Sequence, residues 1–549
     1  MRSEKDIFDL FLSCANNDDR RDTFMYIKLI TFFIVLFIFI SACSKTEPNY
    51  ETEAKTVTKT EAEAEAVTEK SNEQNNLAEK AFELFVEISA IPRGSGKEQQ
   101  ISDFLYNFGQ SLDLEVIQDE ALNVLIRKSG TKGRENEPTV ILQTHMDMVW
   151  DKNESADFDF ITDPIIPVID NDWVTAQNET TLGADNGAGM AMVMAILSAT
   201  DISHPPIEAL FTSDEEDGMT GATSFDVSLL KGNRFINLDY ETDGSFAVSS
   251  ASFVSIYVML PVTTAQVPQD IVTYKLMVKG LQGGHSGVDI HKGLANANIL
   301  MALILTELNN IDFYISEING GSRQNAIPRE CSVVISFSNK DYDLVKLTID
   351  QLERQFKADY PLDIDLEVTL EDTDKSQNVF SDETLSQILY MIKTAPNGVI
   401  TYNPDVPEFV QTSSNLGIIV TENDKVSFTF APRGSVMKEL DEVLATFKNL
   451  ADSINAEIII GEPSAAWAFN PVSPLRDIMI EVFTEMYGKE PVVEAVHAGL
   501  ECGIFASVMP GADIISIGPD IEGAHSPDER MSLSSFNRVL EFLVQFLAK

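Results

Sequence analysis

The chain has 549 residues, too many for one hydrophobic core and enough for roughly two to four domains. With 44% hydrophobic and 23% charged residues it is globular in composition, outside the low-hydrophobicity regime of disordered chains. Asp and Glu outnumber Lys and Arg by 86 to 39, and the resulting net charge of −47 argues against a nucleic-acid partner, because phosphate binding requires clustered basic residues.

In chain order, the first element is an unbroken apolar or hydroxyl-bearing run from Leu29 to Ile40, preceded by Arg20, Arg21 and Lys28 and followed by Ser41-Ala42-Cys43. The run is shorter than the ~20 apolar residues of a membrane-spanning helix, so this pattern predicts a signal peptide over residues 1–43. Ile40-Ser41-Ala42-Cys43 resembles the bacterial lipobox, which implies lipidation of Cys43, a membrane anchor, and a location in the bacterial cell envelope outside the cytoplasm. Met25 offers a second start codon. Residues 44–76, rich in Thr, Glu, Ala and Lys, predict a disordered tether. Cys14 and Cys43 precede the globular part, which holds Cys331 and Cys502 without any CxxC pair; neither a cysteine zinc site nor a disulfide framework is supported.

From Leu77 the pattern alternates helical and strand-like segments. An amphipathic stretch from Ala78 to Ala90 ends before Pro92. Apolar strands follow at Val140–Leu142, Ile207–Phe211 and Phe235–Leu238, with a helical stretch from Gly187 to Ala199 between them. This alternation predicts an α/β domain with a mainly parallel central sheet, in which ligands bind beyond the carboxyl ends of the strands. After Gly244 the strands Tyr274–Val278 and Cys331–Phe337 flank a helix near Asn296 to Leu308, which predicts an inserted α+β lid domain. The expected division is 77–245 and 463–549 for the catalytic domain and 246–462 for the lid.

Acidic and histidine clusters stand at the predicted strand ends: His145-Met146-Asp147, Asp185-Asn186, Asp214-Glu215-Glu216 and Asp239, with His525-Ser526-Pro527-Asp528 near the C-terminus. Zinc accepts imidazole nitrogen and carboxylate oxygen at about 2.0–2.2 Å, and a pair of ions requires a shared carboxylate. Any one cluster reads equally well as a solvated surface feature. Together with Thr181–Gly187, Asn237-Leu238-Asp239, Gly283-Gly284-His285-Ser286-Gly287, Asn325-Ala326-Ile327-Pro328 and His497–Gly503, they form a long ordered pattern from about Ala78 to the C-terminus. That pattern resembles the aminoacyl-histidine dipeptidases, bacterial enzymes of the two-zinc superfamily that includes aminoacylases and carnosinases.

The resemblance implies two zinc ions, with Co or Mn as substitutes. Asp185 would bridge them, His145 and Asp239 would bind one, and Glu216 and His525 the other. It casts Glu215 as general base, Asp147 as the residue fixing the His145 imidazole, and His285 as donor to the oxyanion. Asn325 and Arg433 correspond to substrate-binding positions, the guanidinium fork of Arg433 matching a peptide carboxylate. His497 and Glu501 belong to a family motif without an argued role, and His204 and His291 receive none. Whether His285 serves its own subunit's site or a partner's in a homodimer is open. The implied activity is hydrolysis of short unblocked peptides, Xaa-His dipeptides among them. The alternatives are a deacylase or carboxypeptidase of the same superfamily and, from another class, a non-catalytic zinc-dependent peptide-binding lipoprotein.

Overall fold

The computed structural model describes residues 77–422 and 424–549. The expected signal peptide, Cys43 and the tether lie outside the described residues.

Two eight-stranded sheets organise the described chain. The first takes β1 (Glu115–Gln118), β2 (Val124–Lys128), β3 (Val140–His145), β4 (Ile207–Thr212), β5 (Arg234–Asn237) and β6 (Ser245–Ser250), then β7 (Val492–Val496) and β8 (Asp513–Ser516) from much later in the chain. Their order is β1-β2-β4-β3-β5-β8-β6-β7. Parallel pairing joins β3 to β4, β3 to β5, β5 to β8 and β6 to β7, while β1 and β2 add an antiparallel edge.

β3 and β4 are buried along their whole length, as a strand covered on both faces must be. Helices α1 (77–89), α2 (Gln99–Ser111), α3 (Ala184–Ser198), α4 (Pro474–Tyr487) and α5 (Leu533–Ala548) share one core with them. α3 is apolar all round and buried from Asn186 to Leu197, so it runs through the core instead of lying on its surface. Truncating one of its buried methionines, such as Met192, to alanine is expected to cost about 2–5 kcal/mol. The opposite face is covered by a helix at Glu501–Val508, whose Phe505 packs on Phe235.

The second sheet is antiparallel throughout and lies entirely between β6 and β7 in sequence, running from Ile256–Pro261 to Glu457–Ile460. Alternating burial in Ile256–Pro261 marks a sheet with one covered face. Helices Ala297–Glu307, Tyr342–Asp359, Asp382–Thr394 and Met437–Ser453 bury it in a separate core. The fold is therefore α/β with a mainly parallel central sheet, carrying an α+β insertion.

Candidate metal centre and substrate cleft

The parallel strands of the first sheet deliver their carboxyl ends to one place. His145 is the last residue of β3, Glu215 and Glu216 follow the end of β4, Asp239 lies two residues beyond β5, and Asp185 opens α3. His525 arrives on the loop between short strands Ile521–Glu522 and Arg530–Ser532.

The side chains converge on Asp185. His145 Nε2 lies 2.9 Å from Asp185 Oδ1 and 3.1 Å from Asp239 Oδ1, while His525 Nε2 lies 3.2 Å from Asp185 Oδ2 and 2.8 Å from Glu216 Oε2. One carboxylate thus faces two imidazoles, each accompanied by a second carboxylate. Three groups could hold an ion: His145, Asp185 and Asp239; His145, Glu215 and Glu216; and Asp185, Glu216 and His525.

The donor chemistry fits divalent metal. Glu216 Oε1 and Asp239 Oδ1 are buried without a hydrogen-bond partner among the described residues. Such atoms cost free energy unless another ligand engages them. The charge balance points the same way. Burial raises the Glu215 pKa well above the carboxylate range, an effect opposed by His145 and reinforced by Asp239, Glu501 and Glu216. Burial likewise lifts Asp239 to about 7, with Asp185 and Glu216 adding to it and His145 opposing. For Asp185 burial acts upward too, but hydrogen bonds from His145 and His525 outweigh it and hold the group well below its usual value. Hydrogen bonds to Asp185 and Glu216 raise His525 to about 11. The excess of carboxylates over cations is what bound dications would neutralise.

Asp147 lies beneath this cluster, with Oδ1 3.4 Å from His145 Nδ1, and the two make no hydrogen bond. It accepts instead from the backbone amides of Glu215 at 3.0 Å and Glu216 at 3.2 Å and from the Ser95 hydroxyl at 2.8 Å. Glu501, wholly buried, accepts from Gln143 Nε2 at 2.6 Å and Thr212 Oγ1 at 2.7 Å.

A cavity of about 730 Å³ opens over the cluster, lined by Asp185, Glu215, Glu216, Asp239, His291 and His497 among others. Buried His497 pairs with the Ser413 hydroxyl at 2.7 Å; burial and then Arg433 lower its pKa to about 3, so it stays neutral. His204 is not at this site, its Nδ1 lying 2.8 Å from the Pro205 carbonyl oxygen.

His285 and Asn325 line a different cavity of about 660 Å³ in the lid. The short strand Gly284–His285 pairs with Ala326–Ile327, with His285 opposite Ala326, which sets Asn325 beside the loop. His285 Nδ1 accepts from the amides of Gly287 at 3.2 Å and Val288 at 3.0 Å. The neutral ring therefore carries its proton on Nε2 and is a ready donor. Burial, then Arg433, lowers its pKa, which favours that neutral form. Gly287 packs the lid against the His497 loop: a Cβ there would lie 2.2 Å from the His497 carbonyl oxygen and 3.1 Å from both Arg433 Nε and His285 Cε1.

Arg433 is 5% exposed and stacks over the Phe253 ring at 4.8 Å. Among the described residues it forms no salt bridge, its Nε has no partner, and burial alone lowers its pKa to about 10. A buried guanidinium without a counter-ion is prepared for an incoming anion.

The sequence pattern passed over Arg93 and Glu529, both buried behind the cluster. Their only signals were an arginine after the apolar helix 77–89 and a glutamate four residues beyond His525.

Comparison with known proteins follows the same residues. The model of peptidase family M20/M25/M40 matches residues 141–549. The chain is 33% identical to the cytosol non-specific dipeptidase of Escherichia coli over 468 residues, which is 85% of this chain and 96% of that protein. It is similar to the solved aminoacylhistidine dipeptidase of Vibrio alginolyticus, with a TM-score of 0.80 and 34% identity over 85% of this chain and 96% of that one. It shares its fold with aminopeptidase PepT of Bacillus cereus, with a TM-score of 0.51 at 15% identity over 86% of this chain and 98% of that one. These findings correct one expectation. The envelope location and lipid anchor read from Cys43 are overturned by the E. coli relative, a cytosol enzyme matched over 96% of its length. An apolar run states only that a segment avoids water, and its composition does not say where the protein resides.

Proposed function

The chain belongs to peptidase family M20/M25/M40, and from that premise we propose that it is a dipeptidase of two zinc ions, cleaving short peptides with free amino termini, Xaa-His among them. The observation that carries this reading is the pair of imidazoles facing the two oxygens of Asp185, at 2.9 and 3.2 Å. A single carboxylate so flanked suits two ions in adjacent positions. His145 and Asp239 would hold one ion and Glu216 and His525 the other, with Co or Mn able to substitute.

When bound, the ions polarise the scissile carbonyl and lower the pKa of the attacking water. The chain's own residues do the rest. Glu215 takes the water's proton and returns it to the leaving amine. Its backbone is held by Asp147, so the carboxylate is aimed by a buried neighbour. Asp147 Oδ1 also stands 3.4 Å from His145 Nδ1, near enough to restrain the ring by charge without a hydrogen bond. His285 donates from Nε2 to the developing oxyanion. Arg433 binds the peptide carboxylate, with Asn325 contributing from the lid. Because His285 and Asn325 line a cavity separate from that of the carboxylate cluster, we assign both to a partner's site in a homodimer.

The test is a panel of free and N-acylated dipeptides, including Xaa-His, digested by the zinc-loaded chain and read by mass spectrometry. Cleavage of the free dipeptides and sparing of the acylated ones supports the proposal. Preferential cleavage of the acylated set transfers the chain to the deacylases, and intact peptides in every case leave it a binder.

A further inference from the structure

The turn that carries Asp185 into α3 has no cap of its own. The residue before the helix is Gly183, which adopts φ 69° and has no side chain to offer, and Asp185 itself departs from helical geometry at ψ 109°. A glutamate from the far end of the chain fills this gap. Glu529, 2% exposed, accepts through Oε2 from the amides of Leu182 at 2.7 Å and Gly183 at 2.8 Å, and through Oε1 from Ala184 at 2.8 Å and Asp185 at 3.2 Å. Four consecutive donors close on one carboxylate, and all four point inward to it.

Arg93, 1% exposed, completes the arrangement from the other side. Its Nη1 donates to the carbonyls of Met146 at 3.1 Å and Asp147 at 2.7 Å, and its Nη2 donates to the carbonyl of Gly183. The glycines of this turn leave room for it: a Cβ on Gly183 or Gly187 would lie 2.5 or 2.8 Å from Nη2. Arg93 thus ties the His145 loop to the Asp185 turn, while Glu529 ties the Asp185 turn to the segment bearing His525.

We infer that Glu529, seconded by Arg93, is a positioning residue that sets the Asp185 carboxylate between His145 and His525. It acts through backbone and touches neither substrate nor ion. The inference rests on the two-metal reading given above. Its physical basis is that the Asp185 side chain has to present two oxygens in two directions, which a freely moving turn would not maintain. Groups that orient metal ligands in this way commonly control metal affinity as strongly as 10- to 100-fold.

The decisive variant is Glu529→Gln on the full chain. It conserves shape and burial, but its amide group would set N–H donors against two backbone N–H donors that now point at an oxygen. Zinc binding is followed by competition with a chelator of known affinity, beside kcat and KM for a dipeptide and the melting temperature of the metal-free chain. The expected result is zinc affinity weakened tenfold or more, with kcat lowered and KM little changed. A zinc affinity weakened by less than tenfold overturns the inference. If Glu529→Gln does not fold, Glu529→Asp, which keeps the charge but shortens the reach, is judged by the same threshold. The unsubstituted chain separates the two readings: failure to bind two zinc ions there refutes the metal centre itself, whereas normal binding there and in the variant refutes only the role of Glu529.

Discussion

Replacing Arg433 by methionine should weaken the enzyme and strengthen the fold at once. The guanidinium is buried without a counter-ion among the described residues, and its pKa falls from 12.5 to about 10 through burial. At roughly 1.4 kcal/mol per pKa unit, keeping it charged costs the peptide-free protein on the order of 3 kcal/mol. A cation whose folded pKa is depressed destabilises the fold at every pH below that value, so this cost is fully present at pH 7 and is relieved only as pH rises past about 10. Contact with the Phe253 ring offsets it by about 1 kcal/mol. Methionine fills similar space without charge, so Arg433→Met should gain about 2 kcal/mol and raise the melting temperature by about 2 °C. The same change removes charge-assisted hydrogen bonds to the peptide carboxylate worth about 1.5–3 kcal/mol, hence a fall in kcat/KM of roughly 10- to 150-fold. Calorimetry of the metal-loaded chain and kinetics on a dipeptide and its C-terminal amide measure both effects; the amide should be cleaved alike by the two proteins. A lowered melting temperature, or unchanged kcat/KM on the free acid, would refute the reasoning.

Three further outcomes are expected. Glu215→Gln should keep both zinc ions and lose about 10²- to 10⁴-fold in kcat, whereas Glu216→Gln should lose metal as well; metal analysis beside kinetics checks this, and an active Glu215→Gln protein rules out the assigned base. His285→Ala should keep its zinc and lose about 10²- to 10³-fold in turnover, and mixing it with Glu215→Gln protein should restore activity if the donor crosses a dimer, while persistent inactivity returns the donor to its own subunit. Burial raises Glu501 from 4.5 to about 8, so the metal-free folded chain holds a proton that the unfolded chain has released, and stability should fall as pH climbs from about 4.5 through 8. Melting curves with a chelator present should show that slope flattened in Glu501→Gln, and an identical slope would assign it to other groups.

Periodicities and the chemistry-bearing residue types are legible along the sequence. Apolar runs ending in His145 or followed by Glu215-Glu216 and Asp239 identify buried parallel strands with polar carboxyl ends, because both are local properties of a few neighbouring residues. The envelope location expected from the stretch around Cys43 failed for the same reason: a short apolar run beside a cysteine is a local pattern, and the relative matched over 96% of its length is a cytosol enzyme. Tertiary structure decided everything that depends on distance across the chain. His525 meets Asp185 across 340 positions, and Glu529 meets the amide of Leu182 across 347, because the strand order and the return of the chain after the insertion bring them together. The missing counter-ion of Arg433 and the separate cavities of His285 and Asp185 are likewise properties of packing. A residue's partners are set by which elements pack together, and hydrophobic burial chooses those elements by summing over whole faces, a sum that no short stretch of sequence contains.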